Sequence, residues 1–412
     1  MNMKTYFSIL IVTCYVLFTI ASAADINNIP DSQWRGPDRD GVYPEAGLLT
    51  KWSPEGPPLK WTISGLGEGY SSPAVTENSV YITGMLDGIG YVFAYDLQGQ
   101  LRWKSDYGAE WKKSYRGTRT TPTVFDDVLY IEGTQGDIVC MLTRDGSIKW
   151  RRNVFSEYEG RSLRWGLTES LLVQDDIIYC TPGGKEHNIL ALNRHTGELV
   201  WSSPGNKERA SYCSPRIIDH NDRRILVTMT AESILGLNLE DGSTLWRHEH
   251  KTSYDVNPNT PYYMDGQLYA VSGYGTGGVL LEISPDGKKI SEIWRDSVLD
   301  IQMDGFVVVD GFIYGTSHKK PAWHCLSWKD GRIKYTNHGI GKGNVILADG
   351  LIYHYSDNGT VGLIEPNSKK FNLLRSFKIS AGTGEHWAHP VIRNGVFYIR
   401  HGDTLLAFNI QN

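Results

Sequence analysis

Residues 191–201 read Ala191-Leu192-Asn193-Arg194-His195-Thr196-Gly197-Glu198-Leu199-Val200-Trp201. A short apolar strand runs into a polar turn with a glycine, and a second strand follows that carries a tryptophan. The pattern recurs as Ala94…Gly99…Trp103, Met141…Gly146…Trp150, Gly236…Gly242…Trp246 and Cys325…Gly331…Tyr335. A fifth copy is stretched and ends at Trp294; a seventh, around Leu363 to Leu374, is degenerate. Upstream of each copy lies an aromatic-centred strand: Val80-Tyr81-Ile82, Leu129-Tyr130-Ile131, Ile178-Tyr179-Cys180, Leu268-Tyr269-Ala270, Ile313-Tyr314, Ile352-Tyr353 and Phe397-Tyr398, with Ile225-Leu226-Val227 in the remaining place. Before each strand comes a tight turn such as Asp265-Gly266, Asp310-Gly311, Asp349-Gly350 or Asn394-Gly395. Asp-Gly and Asn-Gly between apolar runs are hairpin turns, because both residues tolerate positive φ.

The period is about 39 to 49 residues, with four short strands in each. That is the signature of a propeller blade, a sheet that buries both faces only by stacking on its neighbours around an axis. The two ends set the blade count. The chain finishes on a third strand, Leu405-Leu406-Ala407-Phe408-Asn409, with no Trp strand after it. Pro58-Leu59-Lys60-Trp61-Thr62-Ile63 is a Trp strand with nothing before it. The expected fold is therefore all-β: an eight-bladed propeller of four-stranded antiparallel blades, closed by pairing of the N- and C-terminal strands. The recurrent Trp is expected to wedge between blades.

The organisation read from the sequence is a signal peptide over 1–23, an N-terminal segment over 24–57 packed on the propeller, and the propeller over 58–412. Lys4 is the only charge ahead of the apolar run Tyr6–Ile20, and Ala21-Ser22-Ala23 is a small-residue cleavage site. Ile11-Val12-Thr13-Cys14 is a poor lipidation box, so a soluble periplasmic or secreted protein is expected. No later stretch is long and apolar enough to span a bilayer.

The composition is 40% apolar, 11% aromatic and 21% charged over 412 residues, with a formal net charge of −5. This excludes a disordered chain and a coiled coil, and an acidic balance argues against a nucleic-acid partner. Cys140, Cys180, Cys213 and Cys325 lie far apart, mostly within apolar runs and without metal-ligand spacing. They read as buried small residues; one disulfide stays open in an exported protein. No metal site is expected.

Ala191-x-Asn193-x-x-Thr196-Gly197-x-x-x-Trp201 resembles the docking motif of the pyrroloquinoline-quinone-type propeller repeat, and the resemblance covers about residues 59–412. The opening Trp34-Arg35-Gly36-Pro37…Arg39-Asp40-Gly41 is similar to that of many exported bacterial propellers of this superfamily. The resemblance implies the fold. It leaves several functions open, among them quinoprotein alcohol dehydrogenases and an outer-membrane assembly scaffold. A dehydrogenase of this kind is expected to hold its quinone beside a calcium ion through Glu, Asn and Asp. Many carry a disulfide between adjacent cysteines, a pair this sequence lacks. No cofactor is expected here, with pyrroloquinoline quinone and calcium as the alternative.

The connections from one blade to the next are expected to converge on one face. They contain Tyr70; Tyr115, Arg116 and Arg119; Arg161, Arg164 and Trp165; Arg209 and Tyr212; Tyr254; Gln302; Lys342; and His386, Trp387 and His389. Loops within blades add His187, His318, Lys319 and Trp323. In an acidic protein, Arg116, Arg119, Arg161, Arg164, Arg209 and Lys342 near one axis would form a positive funnel suited to a bidentate anion. Trp165 and Trp387 would offer flat faces for sugar rings. The alternative is that the arginines pair with Glu159, Glu208, Asp255, Asp304 and Glu385.

With an acidic oligosaccharide as the partner, the chemistry that fits is β-elimination beside a uronate carboxylate. Cations stabilise the enolate-like transition state, and Tyr115, Tyr212, Tyr254, His386 or His389 serves as base or acid. The expected activity is that of an exported lyase or dehydratase. The alternatives are a non-catalytic assembly scaffold of the cell envelope and a quinone-dependent dehydrogenase.

Overall fold

The turns between first and second strands place Asp126, Asp175, Asp265, Asp310, Asp349 and Asn394 at φ between 47° and 55°. Short polar side chains accept this left-handed conformation at low cost and reverse the chain within two residues. In the computed structural model, which describes residues 30–412, these turns build eight antiparallel sheets around an axis. The signal peptide expected over 1–23 lies outside the described residues. Blade 1 comprises Ala74–Val75, Val80–Leu86, Ile89–Tyr95 and Leu101–Ala109, and six blades follow in the same order, from innermost to outermost strand. Blade 8 takes Val391–Arg393, Val396–His401 and Thr404–Asn409 from the end of the chain and its outer strand, Leu59–Ile63, from the beginning. Trp61 stands opposite Ala407 in that pairing, so the ring closes three-plus-one as the two chain ends require. No helix among the described residues is long and apolar enough to cross a membrane.

The recurrent tryptophan sits opposite a third-strand residue just before a bulge: Trp103 on Ala94, Trp150 on Cys140, Trp201 on Ala191. From there it reaches the next blade. The indole N–H donates to the carbonyl of Leu97 from Trp61, of Thr143 from Trp103, of Arg194 from Trp150, of Leu239 from Trp201 and of Trp328 from Trp294. The turn glycine beneath each ring lies too close for a side chain: a Cβ on Gly242 would come within 2.5 Å of Trp201. Gly197, at φ 71°, closes the turn within Ala191–Trp201, its N–H on the Asn193 carbonyl. Blade 7 has Arg375 at this position, opposite Leu363. The N-terminal arm supplies the missing ring: Trp52 is buried against Tyr353 and edge-on to Phe377, within the apolar cluster that includes Phe408 of blade 8.

Residues 30–57 do more than lie across the ring. Val42–Tyr43 pairs in parallel with Gly343–Ala348 and gives blade 7 a fifth strand on its axial edge. The preceding turn enters the axis from the side of the Asp-Gly hairpins, where Asp31 accepts from the Asp126 N–H and Leu48 N–H donates to Asp349. Arg35 donates to the carbonyls of Phe306 (2.9 Å) and Val345 (3.2 Å), on blades 6 and 7. Arg39 donates to Ser170 and Leu171 at the start of blade 3. Both side chains are buried, at 5% and 2% exposure. The arm thus stops the axial channel at one end. Cys140, Cys180, Cys213 and Cys325 are buried free thiols.

Candidate functional site

On the opposite face the blade connections surround a cavity of about 400 Å³ above the arm. Trp34 forms its floor, edge-on to His389 at 5.4 Å. The walls are aromatic. Trp387 packs against Tyr115 (4.8 Å between ring centres) and Tyr70 (5.2 Å). Across the mouth, Trp165 meets Tyr212 and Tyr254, Tyr254 meets Tyr274, and Tyr274 meets His318. Tyr115, Tyr212, Tyr254 and Tyr274 all have positive φ, of 52°, 74°, 64° and 58°. For bulky side chains this conformation costs about 1–3 kcal/mol each and persists only where the surroundings enforce it.

The expected cations distribute differently from the sequence reading. Of the six, only Arg119 and Lys342 line the cavity. Arg119 donates to the carbonyls of Trp165 (2.7 Å) and Tyr115 (2.6 Å), and burial lowers its pKa. Lys342 contacts His318 Nδ1 at 3.0 Å and Asp357 at 3.7 Å. Arg116 is paired with Glu68 at 3.0 Å on the surface, and Arg209 with Asp255. Arg164 lies over the rings of Trp165 and Tyr254 at the rim, 5.2 and 4.7 Å away. The Arg161 side chain is exposed. The converging funnel of six is therefore corrected to two cations in the well and one on its rim. Two of the others are neutralised because a carboxylate on a neighbouring connection sits within reach, Glu68 for Arg116 and Asp255 for Arg209.

The titratable candidates are equally constrained. Tyr212 accepts from the Trp165 N–H, and burial pushes its hydroxyl up to about 12. His389 accepts from Arg35 at Nδ1 and donates from Nε2 to the Met303 carbonyl at 2.8 Å. Burial, with Arg35 adding to it, brings its pKa down to about 3. Both nitrogens are engaged, so the ring has no lone pair to offer a substrate. His386 does not line the cavity. It takes the Tyr355 hydroxyl at 2.5 Å and stacks on His401 at 3.6 Å, with its pKa brought down to about 4 by burial. Tyr115 lines the mouth and Tyr254 borders a small cleft beside it with Arg164, Arg209 and Asp255. Trp165 and Trp387 line the cavity. Of the loop residues, His318 reaches the cavity; His187 bonds Ser202 away from it. Trp323 is a buried strand residue packed on Phe371 and His354.

Trp34 carried only the resemblance of the opening, and Tyr274 was not expected at the site. Trp34 lies in the arm, and Tyr274 extends from a glycine-rich loop within blade 5; only the folded ring brings them to the axis. The quinone–calcium alternative meets a donor mismatch. The cavity wall carries no Asp or Glu, and no group of three or more His, Cys, Asp or Glu among the described residues is arranged to hold a metal. A hard oxygen-loving cation finds no carboxylates there.

Fold and cavity together define an eight-bladed propeller of the pyrroloquinoline-quinone repeat type with an aromatic well on its axis. The family described as outer membrane protein assembly factor BamB matches residues 88–337, more than half of the chain, and the chain belongs to that family. Curated relatives include the outer membrane protein assembly factors BamB of Kangiella koreensis, 27% identical over 211 residues (50% of this chain, 49% of that one), and of Yersinia pestis, 22% over 283 residues (65% and 64%). The chain thus spans between about half and just under two thirds of these relatives' own length. Among solved structures, BamB from Moraxella catarrhalis superposes with a TM-score of 0.58 at 14% identity, covering 85% of this chain and 97% of that one. Quinohemoprotein alcohol dehydrogenase from Comamonas testosteroni superposes at 0.61 with 12% identity, covering 90% and 79%. At these identities the superpositions establish the fold alone.

Family membership overturns the lyase or dehydratase reading, and with it the acidic oligosaccharide as partner. The geometry agrees with the correction. Three of the six cations expected beside the uronate, Arg116, Arg161 and Arg209, lie outside the well, and His389 and Tyr212, at its wall, are tied up by hydrogen bonds.

Proposed function

We propose that this protein is a non-catalytic binding propeller of the cell envelope that assists assembly of outer-membrane proteins. The family match over residues 88–337 carries the reading. The aromatic well and its strained tyrosines support a binding surface: Tyr, Trp and Arg dominate the energetic centres of protein interfaces. The reading sets the protein in the periplasm or at the outer membrane, consistent with an export signal over 1–23. In this organisation the described part of the segment expected over 24–57, residues 30–57, is the arm that stops the channel, and 58–412 is the ring. Its partners are proteins: outer-membrane proteins or their assembly machinery. The test is photo-crosslinking from the full chain in native envelopes, with a crosslinker at Tyr115 or on the outer strand Leu101–Ala109, followed by identification of the adducts. Crosslinks to outer-membrane proteins or their assembly components are expected. Adducts to none of these, at any position around the ring, would overturn the reading.

A further inference from the structure

We propose that the axial well is the docking site itself, and that it takes a projecting loop of the partner protein bearing an aromatic side chain next to one or two carboxylates. The inference rests on the scaffold reading and adds the place and chemistry of contact.

Charge points to the acid. Arg119 and Arg164 make no ion pair among the described residues: the first is held by main-chain carbonyls and the second lies on aromatic faces. Lys342 has Asp357 only at 3.7 Å. No carboxylate lines the cavity. A partner's Asp or Glu would gain charge-assisted hydrogen bonds there, whereas a cationic loop would meet Arg119 and Arg164, which have no carboxylate at ion-pair distance, and Lys342, which shares Asp357.

Shape points to the ring. The well holds about 400 Å³ between flat walls, within the range of preformed ligand pockets. Tyr115 and Tyr254 stand 48% and 52% exposed at its mouth, large apolar surfaces that a partner would cover. Ring contacts, of Tyr115 with Trp387 and of Tyr254 with Trp165 and Tyr274, hold them in place, so little conformational freedom is lost on binding. The closed floor at Trp34 sets the depth, which suits a loop tip rather than a flat sheet edge.

The experiment uses the full chain and calorimetric titration with a disulfide-closed peptide that presents Asp-Trp-Glu at its tip. Two controls present Asn-Trp-Gln and Asp-Ala-Glu, and indole-3-acetate serves as a free ring acid. The Asp-Trp-Glu peptide is expected to bind, both control peptides at least tenfold more weakly, and added salt to weaken it further. Arg164→Ala and Tyr115→Ala, both at exposed positions, are expected to weaken it at least fivefold with an unchanged melting temperature. Equal binding of all three peptides, or no binding of any, overturns the proposal. Binding of indole-3-acetate alone would make the well a small-molecule site and also overturns it. Crosslinking separates the two readings. If the Arg164→Ala/Tyr115→Ala double variant still crosslinks to outer-membrane assembly proteins as the parent does, the scaffold reading stands and the docking site falls. If the parent forms no such crosslinks, both fall.

Discussion

Arg35, Arg39 and Arg400 are buried with their forks aimed at main-chain carbonyls and hydroxyls rather than at carboxylates. Arg400 joins blade 8 to blade 1 through the Thr83 carbonyl and Ser71 hydroxyl, both at 2.6 Å. Removing such a group strands several buried acceptors at once, each costing about 1–3 kcal/mol. Arg400→Met should therefore lower stability by a few kcal/mol, read from urea denaturation. Glu132 and Glu169, on neighbouring blades, present the reverse problem. Both are buried, and neither oxygen of Glu132 has a partner. Burial drives both pKa values up, Glu169 to about 8. Below the ordinary carboxylate range both states hold the proton and stability is full. Above it the unfolded chain ionises first, and stability falls by up to about 1.4 kcal/mol per pH unit for each group. Denaturation midpoints should thus decline from about pH 5 to pH 8. Glu132→Leu should flatten that decline and be the more stable protein at pH 8. None of this was legible in the sequence, where buried and solvated charges look alike. The same blindness applies to Arg116: Asp255 stood among the carboxylates that the sequence offered the arginines, and it pairs with Arg209, whereas Glu68, the partner of Arg116, did not.

At the scale of the element, the repeat was readable because its physics is local. An Asp or Asn at positive φ reverses the chain within two residues and a Trp stands opposite a small residue about ten positions earlier, as Trp201 does on Ala191, while the glycine under each indole comes one period later, as Gly242 does under Trp201. The degenerate seventh copy was visible as well. Its remedy was not, because Trp52 reaches it from about 300 residues away. Trp52→Ala should cost about 3–5 kcal/mol, as for other buried Trp deletions, and increase protease sensitivity at Leu373–Lys378 before other outer strands. Equal sensitivity of all outer strands would show that the arm does not serve that seam. The arm itself was expected to lie across the ring. Its insertion depends on Arg35 and Arg39 finding carbonyls on blades 3, 6 and 7, contacts between residues more than 100 apart.

At the scale of the whole molecule, one seam differs from the rest in kind. In seven blades the four blade strands are consecutive in sequence, blade 7 adding only the short arm strand Val42–Tyr43, while the eighth draws its outer strand from the other end of the chain. Trp61 and Trp103 make the same indole-to-carbonyl bond on successive seams, but only Trp61 belongs to the closing strand. Trp61→Ala and Trp103→Ala should each cost about 3 kcal/mol at equilibrium. The first should speed unfolding more: Trp61 pairs with Ala407 across nearly the whole chain, the costliest closure to make early, and loss of a contact formed after the transition state speeds unfolding. Stopped-flow unfolding in urea distinguishes the two; identical unfolding rates would mean the ring opens at no preferred seam.

The stoppered axis has one more consequence. With Arg35 and Arg39 lodged beneath Trp34, the molecule is a cup and not a tube, so no polypeptide can thread through it. Whatever enters must leave by the same mouth, and a single occupant excludes every other. On the docking proposal, a partner's loop is then held by walls and rim together and released through one opening, so that partners would be served one by one, in turn.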